Sequence, residues 1–198
     1  TADAQVVARL RAAGAIIVGK TNTVEFAFGG WGTNVTVGTP RNPWDKAVHR
    51  VPGGSSSGSG VAVGAGLVPA ALGTDTGGSV RGPAALNGCV GLKTTLGLVG
   101  RSGVVPLSET LDSVGPMARD VATAARMLAV MQGPDGLDPS TAGAPLADPL
   151  ASLERGAQGL RIGRFADEDL PQLSSDAGAA LARAGKLLTD AGATITRF

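Results

Sequence analysis

Apolar positions first fall into a helical spacing: Val6, Val7, Leu10 and Ala13 share one face, Gly14 ends the run, and Ile16, Ile17 and Val18 follow as a contiguous apolar stretch. This pattern predicts a helix running into a short buried strand. Thr21 to Phe28 predicts a second short helix, capped by Thr21 or Asn22, with Glu25 near its first turn. Gly29 to Arg50 has no periodicity and is rich in Gly, Asn, Thr and Pro. It predicts an irregular segment in which Trp31 and Trp44 act as packing anchors, with Trp31 also a candidate for lining a substrate entrance.

The pattern then changes character. Gly53 to Gly60, GGSSSGSG, would by itself read as a flexible linker, but Val61, Val63, Leu67 and Val68 follow among alanines and glycines, with no charge before Asp75. A linker does not enter a core. The serines are therefore expected to open a tightly packed helix of small residues, followed by a break at Pro69, a strand near Ala70 to Thr74, and a tight turn from Asp75 to Ser79. Val90 to Lys93 predicts another strand, Leu98 to Leu107 a loop or hairpin, and Asp120 the cap of a helix that carries Val121, Ala125 and Leu128 and ends at Gly133-Pro134. Residues 134–159, rich in Pro, Asp, Gly and Ala, read as a connection. Leu160 to Phe165, Ser175 to Ala191 and Ala193 to Phe198 then read as strand, helix and strand. One domain is expected, with residues 1–133 as its core and residues 160–198 as a further strand-helix-strand segment.

Composition narrows the function classes. With 198 residues, 43% hydrophobic and 17% charged, the chain supports one sizeable core. A net charge of +1 and the lack of a dense Lys/Arg run give no footprint for nucleic acid or an anionic membrane surface. No apolar run reaches the ~18 residues of a membrane span, and no basic-then-apolar signal segment opens the chain. Cys89 is the only cysteine and His49 the only histidine, which permits neither an internal disulfide nor an ordinary zinc site. Cys89, in apolar surroundings, reads as a buried thiol. No cofactor or metal is implied, and a reducing, cytoplasmic location is expected.

Serine among glycine is the candidate chemistry, because glycine lets backbone N–H groups approach a ligand without an intervening side chain. A serine hydroxyl is a weak nucleophile until a base takes its proton. Residues 54–58 literally match G-x-S-x-G, but the hydrolase order places the histidine after the serine, and His49 precedes it. The order Asp45, His49, Ser56 would crowd a triad into one loop without visible support. GGSSSGSG also lacks the Lys-Ser/Thr ending of a phosphate-binding loop.

GGSSSGSG followed by GTDTGGSVRGPAALNGCVGLK resembles the signature region of the amidase signature hydrolases. The resemblance extends upstream through VVARLRAAGAIIVGKTNTVEFAFG and RNPWD, and downstream through GVVPLSETLDSVGPMARDV. It implies an α/β/α fold with a mixed central sheet flanked by helices on both faces, incomplete at both ends of this chain. It also implies a Ser, cis-Ser, Lys catalytic set in which Ser79 is the acylated nucleophile and Ser55, after a cis peptide bond with Gly54, relays the proton. Amides around Thr76, Gly77, Gly78 and Ser79 would receive the oxyanion, with Ser56, Asp75 and Arg81 in support. The family's base lysine lies upstream of the segment matched here. Lys20 and Lys93 match structural lysines, so none of Lys20, Lys46, Lys93 and Lys186 is the base.

The implied function is hydrolysis of a carboxamide or carbamoyl C–N bond through an acyl-serine, acting on a small-molecule amide and releasing ammonia or an amine. Two other readings stay open: the glutaminase component of a tRNA-dependent amidotransferase, which is the amidase-type polypeptide of that enzyme, and a non-catalytic binding or scaffold segment lacking the base. A homo-oligomer or a partner subunit is compatible with each.

Overall fold

The computed structural model describes residues 2–151, 153–166 and 173–197. Thr1–Leu150 and Ala151–Phe198 form two compact units, and the division falls inside the stretch expected to be a connection.

The first unit contains α1 (Gln5–Ala12), α2 (Ser57–Gly64), β1 (Ala70–Asp75), α3 (Arg81–Asn87), β2 (Val90–Gly91), β3 (Ser113–Ala118) and α4 (Val121–Met131). β3 is the middle strand, antiparallel to both β1 and β2, with Ala70 opposite Ala118 and Asp75 opposite Ser113. Every residue of β3 is buried. Side chains alternate across a strand, so Val114 and Met117 enter different cores. Val114 joins Val6, Leu10, Val99, Leu128 and Met131 on the side of α1 and α4, whereas Met117 joins Val63 and Val80 on the side of α2 and α3, where Cys89 also packs. Helices therefore cover both faces of this sheet.

The spacing of Val6 and Leu10 produces α1 as expected, and both side chains are buried. Asp120 caps α4 by accepting the Thr123 N–H at 2.7 Å. α2 owes its position to its small residues: a Cβ on Gly60 would lie 2.9 Å from Asn87 Nδ2 and 3.0 Å from the Pro83 carbonyl, so only glycine allows α3 this close. Nothing in the residue pattern announces β3. A strand buried on both faces lacks alternation, and Gly115 and Pro116 usually interrupt strands. Pro116 is tolerated because its carbonyl is the group used, accepting the Leu92 N–H at 3.0 Å.

Three expectations are corrected. Ile16, Ile17 and Val18 form no strand and are not buried: Ile16 is 87% exposed and Val18 77%. Apolar content calls for a partner, and the described residues of this unit bring none to that segment. Thr21 to Phe28 contains a single 3-10 turn, Glu25–Ala27, with Phe26 and Ala27 at positive φ. Asn22 does not cap it. Its carbonyl accepts the Gly58 N–H and the Ser57 hydroxyl, and its side chain donates to the carbonyls of Val37 and Gly38, so α2 and the following loop draw the segment out of a helix. Residues 135–141 are no plain connection. Asp135, Asp138 and Thr141 are buried and Pro139–Thr141 forms a 3-10 turn.

In the second unit, β4 (Arg161–Arg164) and β5 (Thr194–Arg197) pair in parallel, with Ile162 opposite Ile195. α5 (Ser175–Asp190) connects them and is capped by Ser174. The expected strand-helix-strand is present, while Phe198 lies outside the described residues. The described strands form a three-stranded antiparallel sheet in one unit and a parallel pair in the other, and with the helices they give the expected α/β class.

Candidate active site

Pro52 to Gly60 is buried throughout. Burying hydroxyls and backbone amides is unfavourable unless each finds a partner, and this loop is densely bonded. The Gly54 N–H donates to the Gly30 carbonyl at 2.8 Å, and the Ser55 carbonyl accepts the Val24 N–H at 3.0 Å. Ser56 Oγ donates to the Thr74 carbonyl at 3.2 Å and accepts the Thr74 N–H at 3.1 Å, which fastens the loop to β1. Ser59 Oγ donates to the Leu72 carbonyl at 2.7 Å. The Gly54-Ser55 peptide bond is cis, as the resemblance implies.

β1 delivers the second cluster. It ends at Asp75, whose side chain is fully buried and gathers the following turn around itself. Asp75 Oδ1 accepts the Gly78 N–H at 2.8 Å, and Oδ2 accepts the N–H groups of Val80 at 3.0 Å and Arg81 at 3.3 Å. The Arg81 guanidinium adds contacts of 3.1 and 2.9 Å to the two oxygens. Burial alone would push the Asp75 carboxyl up, but Arg81 and the backbone donors outweigh it and hold the group below the usual aspartate value. Gly78, at φ +132, adopts a backbone that L side chains rarely take, and a Cβ on Gly77 or Gly78 would meet nothing within 4 Å. One face of the turn is open.

The two clusters meet at Ser79, whose carbonyl accepts the Ser56 N–H at 3.3 Å. Ser79 is half-buried and Ser55 almost fully buried. The structure thus brings Ser55, Ser56, Asp75, Thr76, Gly77, Gly78, Ser79 and Arg81 into one neighbourhood, without a direct hydrogen bond between the Ser55 and Ser79 hydroxyls among the described residues. Gly78, expected to offer a free oxyanion donor, has its N–H committed to Asp75. Thr76, Gly77 and Ser79 remain as candidate donors.

An amidase family model matches residues 1–198. The chain belongs to the amidase family. Among curated relatives it is 49% identical over 193 residues to the A subunit of glutamyl-tRNA(Gln) amidotransferase from Symbiobacterium thermophilum, covering 98% of this chain and 39% of that protein. Among solved structures, the corresponding polypeptide of the Thermotoga maritima amidotransferase aligns at a TM-score of 0.91 and 40% identity, covering all of this chain and 43% of that one. The peptide amidase of Stenotrophomonas maltophilia aligns at 0.87 and 41% identity, covering 99% and 41%. The chain thus spans about two fifths of the length of these relatives.

Within this amidase-family chain, Lys20, Lys46, Lys93 and Lys186 are all exposed. Lys93 donates to the Thr94 carbonyl and Lys186 pairs with Asp190. None donates to Ser55 or Ser79. His49 is exposed, and the Asp45 carboxylate accepts from Ala47, Val48 and Arg50. Trp44 anchors its loop by donating Nε1 to the Asn87 carbonyl at 2.8 Å, whereas Trp31 is exposed. No helix among the described residues is long and apolar enough to cross a membrane.

Sequence reasoning missed Asn87, Ser113 and Asp112. Buried Asn87 donates to the carbonyls of Pro52 and Pro83 at 2.7 and 2.8 Å, pinning the serine loop to α3. Ser113 Oγ donates to the Asp75 carbonyl at 3.0 Å, and Asp112 accepts the Thr76 hydroxyl. A charge two positions before the apolar run from Val114 was the available signal for Asp112.

Proposed function

We propose that the protein containing this chain hydrolyses a carboxamide or carbamoyl C–N bond through an acyl-Ser79 intermediate. The supporting observation is the Asp75 to Ser79 turn: Asp75 saturates its own carboxylate with the far half of the turn, leaving the Ser79 hydroxyl and the N–H groups of Gly77 and Ser79 beside an open face. In this reading Ser79 Oγ bonds to the carbonyl carbon, and the carbonyl oxygen becomes the oxyanion, held by the free amides. The Ser79 proton passes through Ser55 toward the departing nitrogen, the C–N bond breaks, and water then cleaves the acyl ester. The base is a lysine outside the four present here.

The names of the relatives favour a second reading, in which the same chemistry releases ammonia from glutamine for a partner protein. The substrates are then glutamine and a second, acceptor-bearing complex. Both readings place the acyl group on Ser79. Treating the full-length protein with a fluorophosphonate and mapping the adduct by mass spectrometry should find it on Ser79; an adduct confined to Ser56 or Ser57 overturns the assignment. Glutaminase activity that requires a co-purifying partner selects the second reading, and turnover of simple amides without one selects the first. Stoichiometric ligand binding without an adduct or turnover would show a non-catalytic protein.

A further inference from the structure

Asp75 organises the far half of the nucleophile turn, from Gly78 to Arg81, but its carboxylate does not reach Thr76 or Gly77. That near half has a different anchor. The Thr76 hydroxyl donates to Asp112 Oδ1, and Asp112 Oδ2 accepts the N–H groups of Leu107 at 2.7 Å and Ser108 at 2.9 Å. Asp112 is 8% exposed and is a junction between the turn and residues 98–112.

The junction is itself held firmly. Arg101 donates Nε to Asp138 Oδ2 at 3.0 Å and Nη2 to Oδ1 at 3.3 Å, while Nη1 reaches the carbonyls of Glu109 at 2.8 Å and Asp112 at 3.4 Å. Asp138, 6% exposed, is in turn bonded by Ser140. A small cavity lies beside the junction, lined by Thr74, Thr76, Val104, Leu107 and Asp112 among others, so the Thr76 side of the turn has space into which it could relax if released.

We propose that Asp112 is a positioning residue for acyl transfer: through the Thr76 hydroxyl it fixes the peptide planes of Thr76 and Gly77, and so aims the free N–H groups of the turn at the developing oxyanion. The proposal rests on the reading of Ser79 as the acylated nucleophile. No bond to Asp112 forms or breaks in the reaction, and its two oxygens are already occupied, which sets it apart from a general base. Its effect is geometric, and misplacement of a reacting group by about 1 Å can cost roughly 10²-fold in rate.

The test uses the full-length protein, with kcat expressed per site titrated by a fluorophosphonate, for Thr76→Val, Thr76→Ser, Asp112→Asn and the Thr76→Val/Asp112→Asn double variant. Thr76→Val should lose about 10- to 100-fold in kcat with KM changed by less than about threefold, because donors that act on the oxyanion stabilise the transition state and not the bound substrate. Thr76→Ser, which keeps the hydroxyl, should remain at least about fivefold above Thr76→Val, and the double variant should be no slower than the slower single one, since residues acting as a unit are not additive. Equal rates for Thr76→Val and Thr76→Ser, multiplying losses in the double variant, or a loss confined to the titratable fraction would overturn the proposal. If Asp112→Asn fails to fold, the Val and Ser variants decide it. A parent protein that neither labels on Ser79 nor turns over an amide overturns the reaction assignment as well.

Discussion

From Pro52 to Gly60 every residue is buried, whereas between residues 15 and 37 Ile16, Val18, Phe26, Phe28, Trp31 and Val35 all lie open to solvent. The polar stretch is inside and the apolar stretch outside, the reverse of what hydrophobicity alone would arrange. The first is stable because three of its four serine hydroxyls are matched within the chain: Ser56 with Thr74, Ser57 with Asn22, Ser59 with Leu72. The second exposes a run of large apolar side chains of the kind that marks a surface meant to be covered. Because this chain spans about two fifths of its relatives' length, we expect the rest of a longer protein to pack against residues 15–37. The serine loop is covered by residues of its own unit; the apolar ribbon finds no cover among the described residues.

The comparison breaks most visibly if residues 1–198 alone catalyse. All four lysines are exposed and none reaches the serines, so Ser55 and Ser79 should keep their protons at neutral pH. A triad lacking one member retains only ~10³- to 10⁴-fold acceleration over water, too little for an ordinary ammonia-release assay with primary amides. The expected outcome is no detectable turnover by this chain beside an active full-length parent. Turnover that disappears in Lys93→Ala or Lys20→Ala would show that the base lies within these residues.

The same contrast separates the features that local sequence encodes from those that depend on distant partners. α1, α2, β1, α4 and α5 were legible because their spacing, caps and glycine stops are local signals, and the two serine clusters were legible because their residue types are specific. The strand expected at 16–18 does not form because burial depends on a partner, and a sequence records appetite for one and not its presence. β3 was overlooked because strands buried on both faces do not alternate and this one contains Gly115 and Pro116. Asp112 and Ser113 act on the turn only through the pairing of β3 with β1, a relation between residues far apart in sequence that no local motif encodes.

A smaller effect tests whether the buried cluster is as self-sufficient as its hydrogen bonds suggest. Asp75→Asn removes the charge opposite Arg81, whose own side chain is half-exposed, and takes an acceptor from the Val80 and Arg81 N–H groups, which should destabilise residues 1–198 by about 1–3 kcal/mol at pH 7. Because its folded-state pKa lies below the ordinary aspartate value, the carboxylate contributes stability that is fully present above pH ~4 and is lost as pH falls through the lowered value. The gap between wild type and Asp75→Asn in urea unfolding should therefore be constant from about pH 7 to 5 and narrow below about 4. A gap that widens with acidification would mean that the carboxyl is protonated in the native turn.

The smallest expected effect addresses the ribbon directly. Ile16 is 87% exposed and Leu128 only 6%, so in residues 1–198 Ile16→Ser should change unfolding free energy by less than about 0.5 kcal/mol, while Leu128→Ala should cost ~3 kcal/mol through the cavity it leaves. In the full-length protein, Leu128→Ala should cost about the same, because its surroundings in the first core are already complete. Ile16→Ser should now cost ~2 kcal/mol, the value of burying one large aliphatic side chain. The informative quantity is the change in the Ile16 penalty between the short chain and the long one, measured by urea titration of both under the same buffer. An Ile16 penalty as large as that of Leu128 in the short chain would show the ribbon already packed there. An unchanged small penalty in the full-length protein would show that nothing covers it, and the ribbon would then be an apolar surface that stays in solvent.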